Sequence, residues 1–146
     1  MPKDPPMSVL YTTQARAVGG RNGHAETSDG LLRVDLAVPK ELGGPGGATN
    51  PEQLFAAGYA ACFESAVRLI ARKQKLPLAD AAVTATVQLL PTAEGGYRLG
   101  VALHSELSGL DQHAGEALVA AAHAVCPYSN AIRGNVDVAI TVAASA

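Results

Sequence analysis

The sequence predicts an α+β domain of antiparallel strands and two helices. Period-two alternation of apolar residues marks strands at the start, middle and end of the chain. A strong helix start at Asn50 opens a long apolar stretch. Glycine-rich turns such as "GGRNG" and "EGG" separate the segments. The order along the chain is βββ–α–ββ–α–β.

The first strand is expected over 9–17, where Val9, Tyr11, Thr13, Ala15 and Ala17 share one face. "HAETS" is the second, Asp29–Gly30 a hairpin turn, and "LLRVDLAV" the third, with Leu32, Val34, Leu36 and Val38 on one face. "PKELGGPGGATN" is expected to be an ordered loop or lid, since proline and glycine interrupt it throughout. Asn50 suits an N-cap, Pro51 the first helical position and Gln53 the third. The helix should run to about Lys75, before Leu76–Pro77. From Leu54 to Ile70 it is apolar nearly all round, which calls for cover on every side. So short a chain has few layers to supply that cover, so a partner subunit is expected. A hairpin over 81–107, a second helix over 111–125 and a closing strand over 135–143 complete the order.

Composition bounds the function. The 146 residues fit one domain over 8–146, preceded by a flexible arm at 1–7, where "MPKDPPM" offers Met7 as an alternative start. Hydrophobic residues make up 48% and charged residues 16%, and Trp is absent, so the core must be aliphatic. The net charge of −2 and the lack of a basic cluster argue against nucleic acid and membrane surfaces as partners. No apolar run is read as approaching the roughly 18 residues of a membrane span. The N-terminus lacks the apolar core of a signal peptide, which places the protein in the cytoplasm. There, two cysteines that pair are expected to be catalytic or sensing rather than structural.

Those cysteines are Cys62, inside the apolar helix, and Cys126, before Pro127. Each alone reads more readily as a small buried hydrophobe than as half of a redox pair, Cys126 less so because it ends a helix at a proline. A reactive thiol needs a lowered pKa, hence a nearby cation, and a buried cation needs an acid. Arg21, at the tip of "GGRNG", and Glu52, in the first turn of the long helix, are candidates. Glu64, Arg68, Arg72 and Arg133 compete. Ten residues of helix separate Glu52 from Cys62, a rise of roughly 15 Å. Either the helix breaks near Gly58, or the acid comes from a partner subunit. His123, three residues before Cys126, is a weaker candidate as a thiol base. The four histidines show no metal-ligand spacing with either cysteine, and no metal or other cofactor is expected. Leu54, Phe55, Tyr59 and Phe63 form either a greasy wall for substrate or plain core.

"NPEQLFAAGYAACF" and "CPYSNAIRGN" together resemble the two signature segments of the organic hydroperoxide resistance proteins, a branch of the OsmC-like superfamily. The resemblance covers nearly the whole chain. It implies antiparallel sheets wrapped around long central helices in an intertwined homodimer, with two sites at the interface. It implies a thiol peroxidase without metal, haem or flavin. Cys62 would be the peroxidatic thiolate, Cys126 would resolve it as a disulfide, and Arg21 with Glu52 would form the activating ion pair. The implied substrates are organic and fatty-acid hydroperoxides, and the implied reductant is dihydrolipoamide or a lipoylated protein. The rival readings are a peroxidase of the sister OsmC branch, a non-catalytic dimer that binds apolar small molecules, and a redox sensor.

Overall fold

The computed structural model describes residues 8–146; the expected arm at 1–7 lies outside the described residues. The chain divides into two compact units, Met1–Pro51 and Glu52–Ala146.

The first unit is a three-stranded antiparallel meander, β1 (Ala15–Val18), β2 (His24–Thr27) and β3 (Arg33–Asp35). The β1–β2 turn is a single 3-10 turn, Gly20–Asn22, entered through Gly19 in the left-handed region at φ 88°. In the β2–β3 turn Asp29 accepts from Thr27 Oγ1 and the Leu31 backbone N–H, and Gly30 takes φ 75°. Two expectations are corrected here. The first strand begins at Ala15 rather than Val9, because Ala15 pairs with Thr27, the last residue of β2, and 9–14 have no ladder partner. The third strand covers three residues rather than eight. Its chain leaves the ladder at Leu36, which bridges to Thr49 in parallel, and the Ala37 N–H donates to the Thr49 carbonyl at 2.9 Å. The expected loop after it contains the 3-10 turn Lys40–Leu42.

The long helix, α1, spans Pro51–Lys73 without interruption at Gly58. It stops through a Schellman arrangement: Leu76 N–H reaches the Ala71 carbonyl, Lys75 N–H reaches the Arg72 carbonyl, and Lys75 sits at φ 54°. The second unit continues with the hairpin β4 (Asp80–Pro91) and β5 (Tyr97–Ser108), then α2 (Gln112–Val125), α3 (Pro127–Ile132) and β6 (Val138–Ser145). The Asp111 carboxylate caps α2 by accepting from Ala114 N–H at 2.8 Å. The sheet order is β4-β5-β6, with β4 antiparallel and β6 parallel to β5. One pair is thus parallel in otherwise antiparallel sheets, because the two helices return the chain to the starting end of the sheet.

The core lies between this sheet and the helices. Phe63 and Val67 from α1 meet Leu103 from β5 and Leu118 and Val119 from α2, all essentially without solvent contact. The apolar face of α1 buries Tyr59, Phe63, Ala66, Val67, Ile70 and Ala71. Cover is not complete all round, as the sequence led one to expect: Ala57, Ala61, Ser65 and Leu69 are exposed along a stripe of spacing four in the single chain. By length and composition α1 also meets the test for a membrane span, with an 18-residue window of mean hydropathy 1.4, which corrects the reading that no such run exists. A core helix meets the same test, and one third of that window is buried.

Gly115 lets α2 lie close on β6, since a Cβ there would stand 2.7 Å from the Ala144 Cβ. Gly115→Val should therefore lower stability by about 1–3 kcal/mol, overpacking outweighing the smaller gain from removing a helical glycine. Urea unfolding measures this, and an unchanged midpoint would mean that the helix and strand can separate freely.

Candidate active site

Cys62 and Cys126 meet although 64 positions separate them. Their sulfurs are 3.8 Å apart, with Cys126 fully buried and Cys62 half-buried. Cys62 projects from the middle of α1. Cys126 occupies the elbow between α2 and α3, serving as C-cap of one helix and N-cap of the next. Its extended conformation, φ −63° and ψ 122°, is what a residue before proline prefers, and Pro127 fits the first position of α3. The short helix α3 was not expected from the sequence. Pro127 at its start and Gly134, at φ 83° just past its end, are the signals that could have found it.

α3 builds the surroundings of both thiols. The Tyr128 backbone amide donates to the Cys62 sulfur. The Tyr128 ring packs against Tyr59 with centroids 5.7 Å apart and against Phe55 at 6.1 Å. Gly58 permits this approach, because a Cβ there would lie 2.7 Å from the Tyr128 hydroxyl. The glycine in the middle of α1 thus makes room for Tyr128 and does not break the helix. Ser129, fully buried, lies 2.6 Å from the Tyr59 hydroxyl and 2.8 Å from His123 Nδ1. Arg133 donates to the His123 carbonyl at 2.5 Å and to Asn130 Oδ1. Tyr128, Ser129 and Asn130 were missed by the sequence reading, since nothing in a lone serine or tyrosine announces which helix it will face.

Electrostatics set a problem for Cys62. Burial pushes its thiol above the usual range, the Tyr128 amide pulls it back, and the neighbouring Cys126 adds to the rise. The competing charges are partly accounted for. Arg68 pairs with Glu64 and, at 3.0 Å, with Asp80, far round the helix from Cys62. Arg21 stands in the 3-10 turn of the first unit, and Glu52 in the first turn of α1, roughly 15 Å along the axis from Cys62. Of the expected apolar wall, Tyr59 and Phe63 have no exposed surface, while Phe55 and Leu54 are half-buried. Phe55 also borders a groove of about 580 Å³ with Leu90, Tyr97, Leu99, Ile132 and Val136. His123 points to Ser129 and not to a thiol, so the thiol-base reading gives way to a structural partner. Among the described residues no cluster of His, Cys, Asp and Glu could hold a metal ion.

The family model for OsmC-like proteins matches residues 44–141. The chain belongs to the OsmC-like family. Within that family its relatives lie in the branch the two cysteine segments resemble. An organic hydroperoxide resistance protein from Xanthomonas axonopodis pv. citri is 49% identical over 94% of this chain and 98% of its own. A crystal structure of an organic hydroperoxide resistance protein from Legionella pneumophila, also described as a predicted redox protein, superposes with TM-score 0.91. It is 66% identical and covers 93% of this chain and 99% of that one. A second, from Vibrio cholerae, has captopril bound in one of its active sites; its TM-score is 0.90 at 51% identity, over 96% of each chain.

Burial, and then the Arg133 guanidinium, hold His123 below its ordinary value of 6.5. The unfolded chain therefore takes up this proton more readily than the folded one. The stability His123 contributes is complete above about pH 6.5 and is lost as the pH falls below it. Unfolding free energies measured from pH 8 to pH 5 should fall more steeply for the natural chain than for His123→Asn. Parallel slopes would show that the ring is not held neutral.

Proposed function

We propose that this chain is a cysteine-based peroxidase that reduces organic and fatty-acid hydroperoxides to alcohols. The observation that carries the reading is the pair of sulfurs 3.8 Å apart, one half-buried and one sealed in the core. The names of the relatives, which speak of organic hydroperoxide resistance, support the substrate class. Half-buried Leu54 and Phe55, the latter at the edge of a groove where Leu90, Leu99 and Ile132 stand beside Arg98 and Asp137, favour an organic tail over a small hydrated peroxide.

In the proposed cycle the Cys62 thiolate attacks the distal peroxide oxygen. The O–O bond breaks, the sulfur loses two electrons and becomes a sulfenic acid, and the alkoxide takes a proton and leaves as the alcohol. The Cys126 sulfur then displaces the sulfenic hydroxyl, which leaves as water with the Cys126 proton. Closing the disulfide brings the sulfurs from 3.8 Å to about 2.05 Å. A dithiol such as dihydrolipoamide, free or on a lipoylated protein, reduces it by exchange.

Arg21 is assigned the role of holding the thiolate and polarising the peroxide, and Glu52 that of orienting Arg21. An unbroken α1 keeps Glu52 about 15 Å from its own Cys62, so the acid at each site is assigned to the partner of a homodimer. The stripe of exposed Ala57, Ala61, Ser65 and Leu69 on α1 is consistent with such a partner. The protein is placed in the cytoplasm, with no nucleic acid or membrane in its cycle and no metal or other cofactor.

Reduced protein mixed with one equivalent of tert-butyl or fatty-acid hydroperoxide should lose both thiols and about 2 Da of mass. Cys62→Ser should abolish this, and Cys126→Ser should stop at an oxidised Cys62. Arg21→Ala should slow the first step by about 10²-fold. Survival of both thiols in excess hydroperoxide would leave a non-catalytic binder of apolar molecules as the better account.

A further inference from the structure

Three hydrogen-bonding side chains surround the resolving cysteine, and the catalytic cycle proposed above uses none of them. Tyr59 lies one helical turn before Cys62 on α1. Ser129 lies one turn after Cys126 on α3, and His123 one turn before it on α2. The Tyr59 hydroxyl is 2.6 Å from Ser129 Oγ, and Ser129 Oγ is 2.8 Å from His123 Nδ1. The His123–Ser129 bond therefore spans the elbow with Cys126 at its midpoint, and the Tyr59–Ser129 bond fastens that elbow to the helix bearing Cys62.

The buried Tyr59 hydroxyl has one proton and needs an acceptor, which Ser129 Oγ provides. His123 Nδ1 completes the chain at Ser129 Oγ, which has both a proton to give and a second lone pair to offer. Burial and then Arg133 disfavour a second proton on the His123 ring. Arg133 also ties the far end of α3 to the His123 carbonyl.

The geometry points to His123 as a positioning residue for disulfide closure: through Ser129 it holds the Cys126 elbow against α1, so that Cys126 Sγ faces Cys62. This rests on the disulfide cycle proposed above. The His123 ring hydrogen-bonds to Ser129 and not to a sulfur, and the Tyr128 amide at Cys62 does not depend on that ring, so the attack on peroxide should proceed without it. Closure should not, because a misplacement of about 1 Å at a reacting atom costs up to about 10²-fold in rate.

The test mixes reduced natural protein, His123→Ala, His123→Asn and Ser129→Ala with one equivalent of tert-butyl hydroperoxide. Two steps are timed separately: sulfenic acid formation at Cys62, by dimedone trapping, and disulfide formation, by intact mass. In His123→Ala, sulfenic acid should form within about twofold of the natural rate while closure slows by about 10- to 10²-fold. The trapped or over-oxidised form of Cys62 should then accumulate. His123→Asn keeps an acceptor for Ser129 and should restore most of the closure rate. Ser129→Ala removes one hydroxyl and should slow closure as His123→Ala does, which keeps the test alive if His123→Ala does not fold. Natural-rate closure in either alanine variant, equal slowing of both steps, or no rescue by asparagine would each overturn the assignment. Failure of the natural protein to form a disulfide would instead overturn the peroxidase cycle beneath it.

Discussion

A buried hydrogen bond, 2.6 Å between the Tyr59 hydroxyl and Ser129 Oγ, ties the long helix to the short one, and both cysteines hang from that tie. Cys62 is three residues beyond Tyr59, and Cys126 three before Ser129. Each helical turn converts the position of the tie into the position of a sulfur. The ring packing of Tyr59 on Tyr128 and Phe63 keeps water from competing for the bond. A polar contact in this apolar core therefore does what hydrophobic packing alone does poorly: it fixes one register between two elements.

The same burial that fixes the geometry opposes the chemistry. A thiolate in this core loses solvation, and the thiol is correspondingly harder to ionise. One backbone amide, from Tyr128, offsets part of that cost. Arg68, the arginine closest to Cys62 along α1, is bound to Glu64 and Asp80. These facts are why the proposed cycle looks to a cation carried on a turn, Arg21, and to an acid at the mouth of the helix, Glu52.

Two glycines let the helices come close enough for all this. Gly58 admits the Tyr128 ring to the surface of α1, and Gly115 admits α2 to β6. Within a helix each costs about 1 kcal/mol of propensity relative to alanine. Packing recovers it: Tyr128 packs on Tyr59 and Phe55 one turn from Cys62, and α2 delivers Cys126 at the level of Cys62. The all-round apolar character of α1 has a related meaning. One face is core, while the stripe through Ala57, Ala61, Ser65 and Leu69 carries short side chains that another helix could approach closely.

By itself the sequence determined what local physics and periodicity can carry. Pro51 marked the start of α1, alternation set β4 and β5, and Pro127 stopped α2 at Cys126. The two cysteine segments identified the family. Tertiary structure decided the rest. The first strand shortened because β2 ends before it could pair with 9–14, and β6 ran parallel because the helical crossover after β5 returns the chain to the starting end of the sheet. Ser129 became the partner of both Tyr59 and His123 only once α3 had folded back across α1. A hydrogen bond between residues 70 positions apart leaves no periodic trace in a chain, since either residue alone is as well suited to water as to the other. Where the sulfurs stand is thus a property of the packed elbow, although the presence of both cysteines was legible from the start.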